Sequence, residues 1–290
     1  MKWPAFGYVR AATLREFWTL RAEAGPDAKV IAGGQSLLAT LAFRLSQPSA
    51  LIDISRLSEL KGIEVRGDIV RIGALTRHVE LERSEVIAAH APLLRMAAPL
   101  IAHPAIRNRG TMGGSIAFAD PAAELPACLV ALDATIVLAS HASERRVPAT
   151  AFFLGLYEIE MVEDEIITAV EVPRQRQEQQ TCILEIARRS GDYAMAGLAC
   201  SLDARAGEVS AAKLVYFGVG EAPVRAKAAS AALVGKALSD VSIASAQAAL
   251  AADLDPPDDL HGPGAMKLHL SRVLTGRALI GFMGERRAAA

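Results

Sequence analysis

The spacing of apolar and polar positions divides the chain into three successive patterns. From Thr13 to Ala24, the residues Leu14, Phe17, Trp18 and Ala22 share one face at helical spacing. Thr13 stands at the N-cap position, and Glu16 completes a capping box. Gly25-Pro26-Asp27 breaks this helix. Lys29 to Ala32 reads as a short buried strand that runs into Gly33-Gly34. Leu37 to Leu45 reads as a helix ended near Pro48, and Leu51 to Ile54 as another strand. Residues 1–55 therefore predict a small α/β unit.

Residues 56–175 predict an α+β unit. Ile63 to Arg66 and Ile69 to Ile72 alternate around Gly67-Asp68, a hairpin signature. Thr76 is placed to cap a helix through Val79, Leu81 and Val86, and a second helix covers Leu93 to Ile101. Asn108 to Ser115 reads as a loop, Glu124 to Leu132 as a helix, and Thr135 to Leu138 and Glu165 to Val172 as strands. A polar link, Arg174 to Gln180, leads to residues 176–290. There Cys182 to Ala187, Ala196 to Leu202 and Ala211 to Val219 predict a three-stranded antiparallel sheet. Helices follow at Ala226 to Leu238, Ile243 to Ala251 and Met266 to Phe282.

Composition narrows the function classes. The net charge is −1 and the basic residues are dispersed, so no tract fits a nucleic-acid backbone or a membrane surface. The most apolar stretch, Ala117 to Ala139, carries Asp120, Glu124 and Asp133, which argues against a membrane span. Cys128, Cys182 and Cys200 are far apart and form no C-x-x-C pair. That excludes an iron–sulfur or zinc site built from this chain alone and fits a reducing, cytoplasmic setting.

Three segments carry candidate chemistry. Ala32-Gly33-Gly34-Gln35-Ser36-Leu37 lies between a strand and a helix, where adjacent glycines allow close approach and successive N–H groups converge on an anion. It is neither a Walker loop nor a G-x-G-x-x-G fingerprint. Arg107 to Ser115 again joins a glycine pair, Gly113-Gly114, to the hydroxyls of Thr111 and Ser115, with Asp120 and Glu124 following as acceptors for sugar-like hydroxyls. Two such segments suggest a diphosphate gripped from two sides. Tyr193, after Gly191-Asp192, is an aromatic side chain suited to cover a flat ring. No general acid/base pair and no metal ligand set is evident.

Together these segments resemble the medium, flavin-carrying subunit of molybdenum hydroxylases, the family of carbon monoxide dehydrogenase and xanthine dehydrogenase. The resemblance rests on Ala32 to Leu38, Arg44-Leu45, Leu51 to Ile54, His103 to Ser115 with Asp120-Pro121, and Arg188 to Ala194. It implies a p-cresol methylhydroxylase-type two-part FAD-binding domain followed by a C-terminal domain. It also implies that Ala32 to Ser36 and Thr111 to Ser115 hold the diphosphate. Glu124, or Asp120 in part, would bind the ribityl chain, Ile101 and Met161 would line the cofactor, and Tyr193 would screen the isoalloxazine. Many relatives carry His where Gln35 stands, so no charge change is expected there.

The implied activity is electron transfer through FAD to an external acceptor. A large subunit with the molybdenum cofactor and a small subunit with two [2Fe–2S] clusters are the implied partners, as a dimer of heterotrimers. The competing readings are a free-standing flavin oxidoreductase of the same fold and a scaffold subunit that has lost FAD.

Overall fold

The computed structural model describes residues 3–289, with side chains through Gly284. The first sheet has three parallel strands: β1 (Gly7–Arg10), β2 (Lys29–Ile31) and β3 (Ala50–Asp53), in the order β1-β3-β2. Parallel strands need crossovers, which the Leu14–Ala24 and Leu37–Ala42 helices supply. Thr13 caps the first helix as the sequence predicts, with its Oγ1 accepting from the Glu16 N–H at 3.1 Å. All three strands point the same way, so their carboxyl ends share one edge. The Gly33-Gly34 segment leaves β2 at that edge, where open α/β sheets place their ligands.

The second sheet is antiparallel, in the order β4-β5-β10-β6-β7. Its strands are β4 (Ile63–Arg66), β5 (Ile69–Gly73), β6 (Thr135–Ala139), β7 (Glu144–Pro148) and β10 (Ile166–Pro173). A small hairpin, β8 (Phe153–Gly155) and β9 (Glu158–Ile159), precedes the central strand. The Ile63–Ile72 hairpin pairs in the expected register. The third sheet, in sequential order, comprises β11 (Gln179–Ala187), β12 (Ala194–Arg205), β13 (Glu208–Phe217) and β14 (Val224–Arg225).

Several elements differ from the sequence expectations. The C-terminal sheet has a fourth strand, because Val224-Arg225 returns to pair with Tyr216 and Val215. Strand β1 was not foreseen: its side chains are largely exposed, and it is specified by pairing with the buried strand β3. Thr76 is not a cap. Its hydroxyl donates to the Gly62 carbonyl, and the next helix starts at His78 and ends at Ser84, which caps a second helix of its own. The Leu93–Ile101 helix is a Pro92–Ala97 helix followed by a 3-10 turn at Ala98–Leu100. The expected loop through Ser115 ends at Thr111, where the Met112–Phe118 helix begins. The Ala226–Leu238 helix shrinks to Lys227–Ala231, and the last helix runs longer, Gly264–Ala289.

Three apolar cores organise these layers. One, around Phe17, Ile52 and Leu57, lies under the parallel sheet. The largest joins Val70, Ile72 and Val170 of the second sheet to Leu125 and Leu129 of the Glu124–Ala131 helix. It also includes Val215 and Phe217 of the third sheet. That helix is therefore buried between two sheets, with Leu125 to Ala131 all buried. The third core packs Leu198, Leu214 and Tyr216 against Leu250, Leu274 and Leu279 of the C-terminal helices. Among the described residues no helix is long and apolar enough to cross a membrane.

Candidate cofactor-binding site

The first glycine segment follows β2. Gly34 adopts a left-handed conformation (φ 72°), which turns the chain sharply before the Leu37–Ala42 helix. Gly33 has a different task. A Cβ on it would stand 2.1 Å from the carbonyl oxygen of Arg109. The first glycine segment thus lies directly against the backbone of the second, and only glycine permits that approach. Gln35 steadies the turn by donating from Nε2 to the Gly33 carbonyl at 2.9 Å. The N–H groups of Gly33, Gly34, Gln35 and Ser36 have no acceptor among the described residues, and neither does the Ser36 hydroxyl.

The second segment is organised differently. The Met112 and Gly113 N–H groups donate to the Thr76 and Ala74 carbonyls, both at 2.8 Å. Thr111 caps the helix: its Oγ1 accepts from the Gly114 N–H at 3.1 Å, and its carbonyl accepts from the Ser115 N–H. The N–H groups of Met112 to Ser115 are therefore already engaged, so of the backbone donors expected here only the Thr111 N–H is without an acceptor among the described residues. What remains for a ligand are that N–H and the hydroxyls of Thr111 and Ser115. A Cβ on Gly113 would meet the Ala74 Cβ at 2.6 Å, so this glycine is set by the packing of the helix on the sheet.

Behind this helix start stands His78, which the sequence reading missed. It is buried, and its Nε2 donates to the Thr111 carbonyl at 3.1 Å. Burial pushes its pKa down to about 4, and the nearby Arg107 adds to this, so the ring is neutral. Its Nδ1 is an acceptor without a partner among the described residues. Arg107 anchors the neighbouring turn. It donates from Nη1 to the carbonyls of Ile101 and Ala102, both at 3.1 Å, and from Nε to Glu82 at 3.1 Å. That fixes the position of Ile101.

The acidic residues sit deeper. Burial pushes the Glu124 carboxyl up to about 8, and the neighbouring Glu185 and Asp120 carboxylates push in the same direction. Glu185 is itself raised to about 7 by burial, and its Oε2 has no partner among the described residues. Asp120 is raised by burial, although its Oδ1 accepts from the Ala122 N–H at 2.9 Å. Burial of the Tyr193 hydroxyl, with the Asp120 carboxylate nearby, raises its pKa, while the residue as a whole remains 58% exposed. The loop carrying it turns at Gly191 (φ 84°), where a Cβ would fall 2.6 Å from the His103 ring. Met161 is placed by Arg145, which clamps the ends of its segment through Glu160 at 2.6 Å and Glu165 at 2.5 Å.

These parts surround one cleft of about 880 Å³, within the range of roughly 300–1,000 Å³ usual for cofactor sites. Ala32 to Leu37, Ile101, Thr111, Gly113 to Ser115, Asp120, Glu124, Met161 and Tyr193 all line it, whereas Met112, within the Thr111 to Ser115 segment, is buried in the core and does not. Leu75, His78 and Phe118 also line it, without having given a signal in the sequence, as does Ile54, the last residue of the Leu51 to Ile54 motif. The donor set fits an extended ligand of mixed character. Convergent N–H and hydroxyl donors suit an anion, acidic acceptors suit a chain of hydroxyls, and apolar walls with an exposed tyrosine suit a flat ring. Among the described residues no cluster of side chains could hold a metal ion.

Comparison with known proteins identifies the architecture. Residues 4–175 match the model for the FAD binding domain in molybdopterin dehydrogenase, and residues 183–281 match the carbon monoxide dehydrogenase flavoprotein C-terminal domain. The chain is 41% identical over 281 residues to the 6-hydroxypseudooxynicotine dehydrogenase complex subunit alpha of Paenarthrobacter nicotinovorans. The match covers 96% of this chain and 95% of the relative. The structure superimposes on a chain of carbon monoxide dehydrogenase from Hydrogenophaga pseudoflava with a TM-score of 0.93 at 38% identity, covering 96% of both chains. For quinoline 2-oxidoreductase from Pseudomonas putida 86 the TM-score is 0.92 at 38% identity, covering 97% of this chain and 98% of the other. The chain belongs to the FAD-binding medium subunits of molybdenum hydroxylases, the oxidoreductase family of carbon monoxide dehydrogenase and xanthine dehydrogenase.

Proposed function

We propose that one FAD occupies this cleft and that the chain is the electron-transfer subunit of a heterotrimeric molybdenum hydroxylase. The single observation that carries the reading is the meeting of two chemically complementary segments in one cleft. Four backbone donors of Gly33 to Ser36 stand open beside the hydroxyls of Ser36, Thr111 and Ser115. These groups would hold the diphosphate. Glu124, with Asp120 beside it, would accept from ribityl hydroxyls, and that contact would give a partner to a carboxylate which burial otherwise penalises. Ile101 and Met161 would pack on the cofactor, and Tyr193 would close over the isoalloxazine and limit access of water and oxygen.

FAD, when bound, supplies one- and two-electron redox chemistry, and the protein supplies position and electrostatics. No residue of this chain needs to act as acid or base on a substrate. Relatives named as medium chains and as subunits of dehydrogenase complexes support two partners. These are a large subunit with the molybdenum cofactor, which would hydroxylate the substrate, and a small subunit with two [2Fe–2S] clusters, which would deliver electrons. The assembly would be a dimer of heterotrimers in the cytoplasm, a setting that three free thiols suit.

The test is purification of the complex from its native host through a tag on this chain. Flavin, iron and molybdenum should co-elute with two further chains. A colourless single chain that carries none of them and ignores added FAD would overturn the assignment.

A further inference from the structure

The fold brings together two side chains that are distant in sequence and that the flavin site does not use. Cys182 on β11 and Cys200 on β12 are direct partners in the antiparallel ladder. Directly opposite residues project from the same face, here the face packed against the C-terminal helices. In either type of antiparallel pair the Cα separation is about 4.5 or 5.5 Å, and both values lie within the range a disulfide spans, about 4.4–6.8 Å. The neighbouring Cys182 thiol and complete burial hold the Cys200 thiol well above the usual thiol range. Cys182 is partly exposed and Cys200 is buried.

We propose that Cys182 and Cys200 form a reversible cross-strand disulfide when the protein meets a hydroperoxide. The asymmetry of exposure orders the steps. The sulfur of Cys182 attacks the terminal peroxide oxygen, the O–O bond breaks, and Cys182 becomes a sulfenic acid as one water (or alcohol) leaves. The sulfur of Cys200 then attacks the Cys182 sulfur. The S–O bond breaks, the Cys200 proton leaves with the hydroxyl as a second water, and the S–S bond forms. Two thiols have lost two electrons and the peroxide has gained them. Cys128 takes no part, because it is buried in the core between the sheets.

The bond has a structural consequence for the cofactor cleft. Residues 183–199 form the hairpin whose connection, Arg188 to Tyr193, carries Tyr193 to the mouth of the cleft. A link between Cys182 and Cys200 ties the two arms of that hairpin below its turn. It adds a second restraint to the packing of Gly191 against His103.

The experiment uses the purified full chain and hydrogen peroxide, followed by alkylation of free thiols and trypsin digestion without reductant. Cleavage at Arg176, Arg188, Arg189 and Arg205 places Cys182 in the peptide 177–188 and Cys200 in 190–205. The expected result is a linked 177–188/190–205 pair that dithiothreitol separates. The thiol titre of the denatured protein should fall from three to one, and dithiothreitol should restore it. Cys128→Ser should still give the linked pair, whereas Cys200→Ser should give a Cys182 sulfenic acid that dimedone captures. Oxygen added to Cys182 of the wild type with Cys200 still alkylated would overturn the proposal. So would a linked pair that forms only after the protein is unfolded in urea.

Discussion

Replacing Glu124 by Gln separates what this residue costs the fold from what it gives the ligand. In the folded chain its carboxyl is pushed from 4.5 to about 8 by burial and by the Glu185 and Asp120 carboxylates. Between those two values the folded state holds a proton that the unfolded chain has released, so stability falls as pH rises. At about 1.4 kcal/mol per pH unit, the charge costs the flavin-free protein roughly 1 kcal/mol near pH 5.5 and roughly 3 kcal/mol near pH 7. The cost levels off above about pH 8, where the folded protein too has lost the proton. Gln has nearly the same shape and carries no charge. Flavin-free Glu124→Gln should therefore be more stable than the parent near pH 7, and the gain should shrink toward pH 5. With about 2–4 °C of Tm per kcal/mol, the neutral-pH shift is several degrees.

The same variant should hold FAD less tightly. Where the carboxyl is ionised, above about pH 8, hydrogen bonds to this charged acceptor contribute about 1.5–3 kcal/mol, which is roughly tenfold or more in Kd. Differential scanning calorimetry of flavin-free protein across pH, with FAD titration by fluorescence quenching, reads both effects. A pH-independent difference in Tm, or unchanged FAD affinity, would refute the role given to Glu124.

Four further outcomes follow from the geometry. Gly33→Ala forces a Cβ to 2.1 Å from the Arg109 carbonyl, so it should lower stability by about 1–3 kcal/mol and abolish FAD retention, measured by thermal unfolding and the bound flavin spectrum. In Gly114→Ala the added Cβ meets only Thr111 Oγ1, at 2.8 Å, so stability should change less than for Gly33→Ala. Ser36→Ala and Ser115→Ala each remove a hydroxyl that has no partner among the described residues. Each should weaken FAD by about 0.5–1.5 kcal/mol without lowering the Tm of the flavin-free protein, as titration and calorimetry would show. Tyr193→Ala should speed reoxidation of the reduced flavin by oxygen in stopped-flow absorbance more than it alters flavin content, and an unchanged rate would remove the screening role.

What the sequence revealed depended on how local the cause was. The Ile63–Ile72 hairpin and the Gly33-Gly34 turn are each specified by a few adjacent residues, and both were legible. The start of the Met112–Phe118 helix was not. Its first turn contains Gly113 and Gly114, poor helix formers, and it exists because Thr111 caps it and because Met112 and Ile116 are buried. The capture of its N–H groups by Ala74 and Thr76 involves residues far off in the chain, so no local pattern announces it. The same limit hid His78, which only tertiary packing places behind Thr111, and the opposition of Cys182 to Cys200. Strand β1 is mostly exposed and takes its order from its neighbour. The candidate site residues were nevertheless found, since glycine pairs followed by hydroxyls remain visible without the fold.

In the proposed site the cleft binds FAD through Gly33 to Ser36 on one side and Thr111 and Ser115 on the other. Isothermal titration of the flavin-free chain with FAD tests it most directly when run alongside riboflavin, which lacks the phosphates. One FAD should bind per chain, and riboflavin should bind far more weakly because the donors of Gly33 to Ser36 then have nothing to hold. Equal affinity for the two ligands, or no heat with FAD from a chain that circular dichroism shows to be folded, would contradict it.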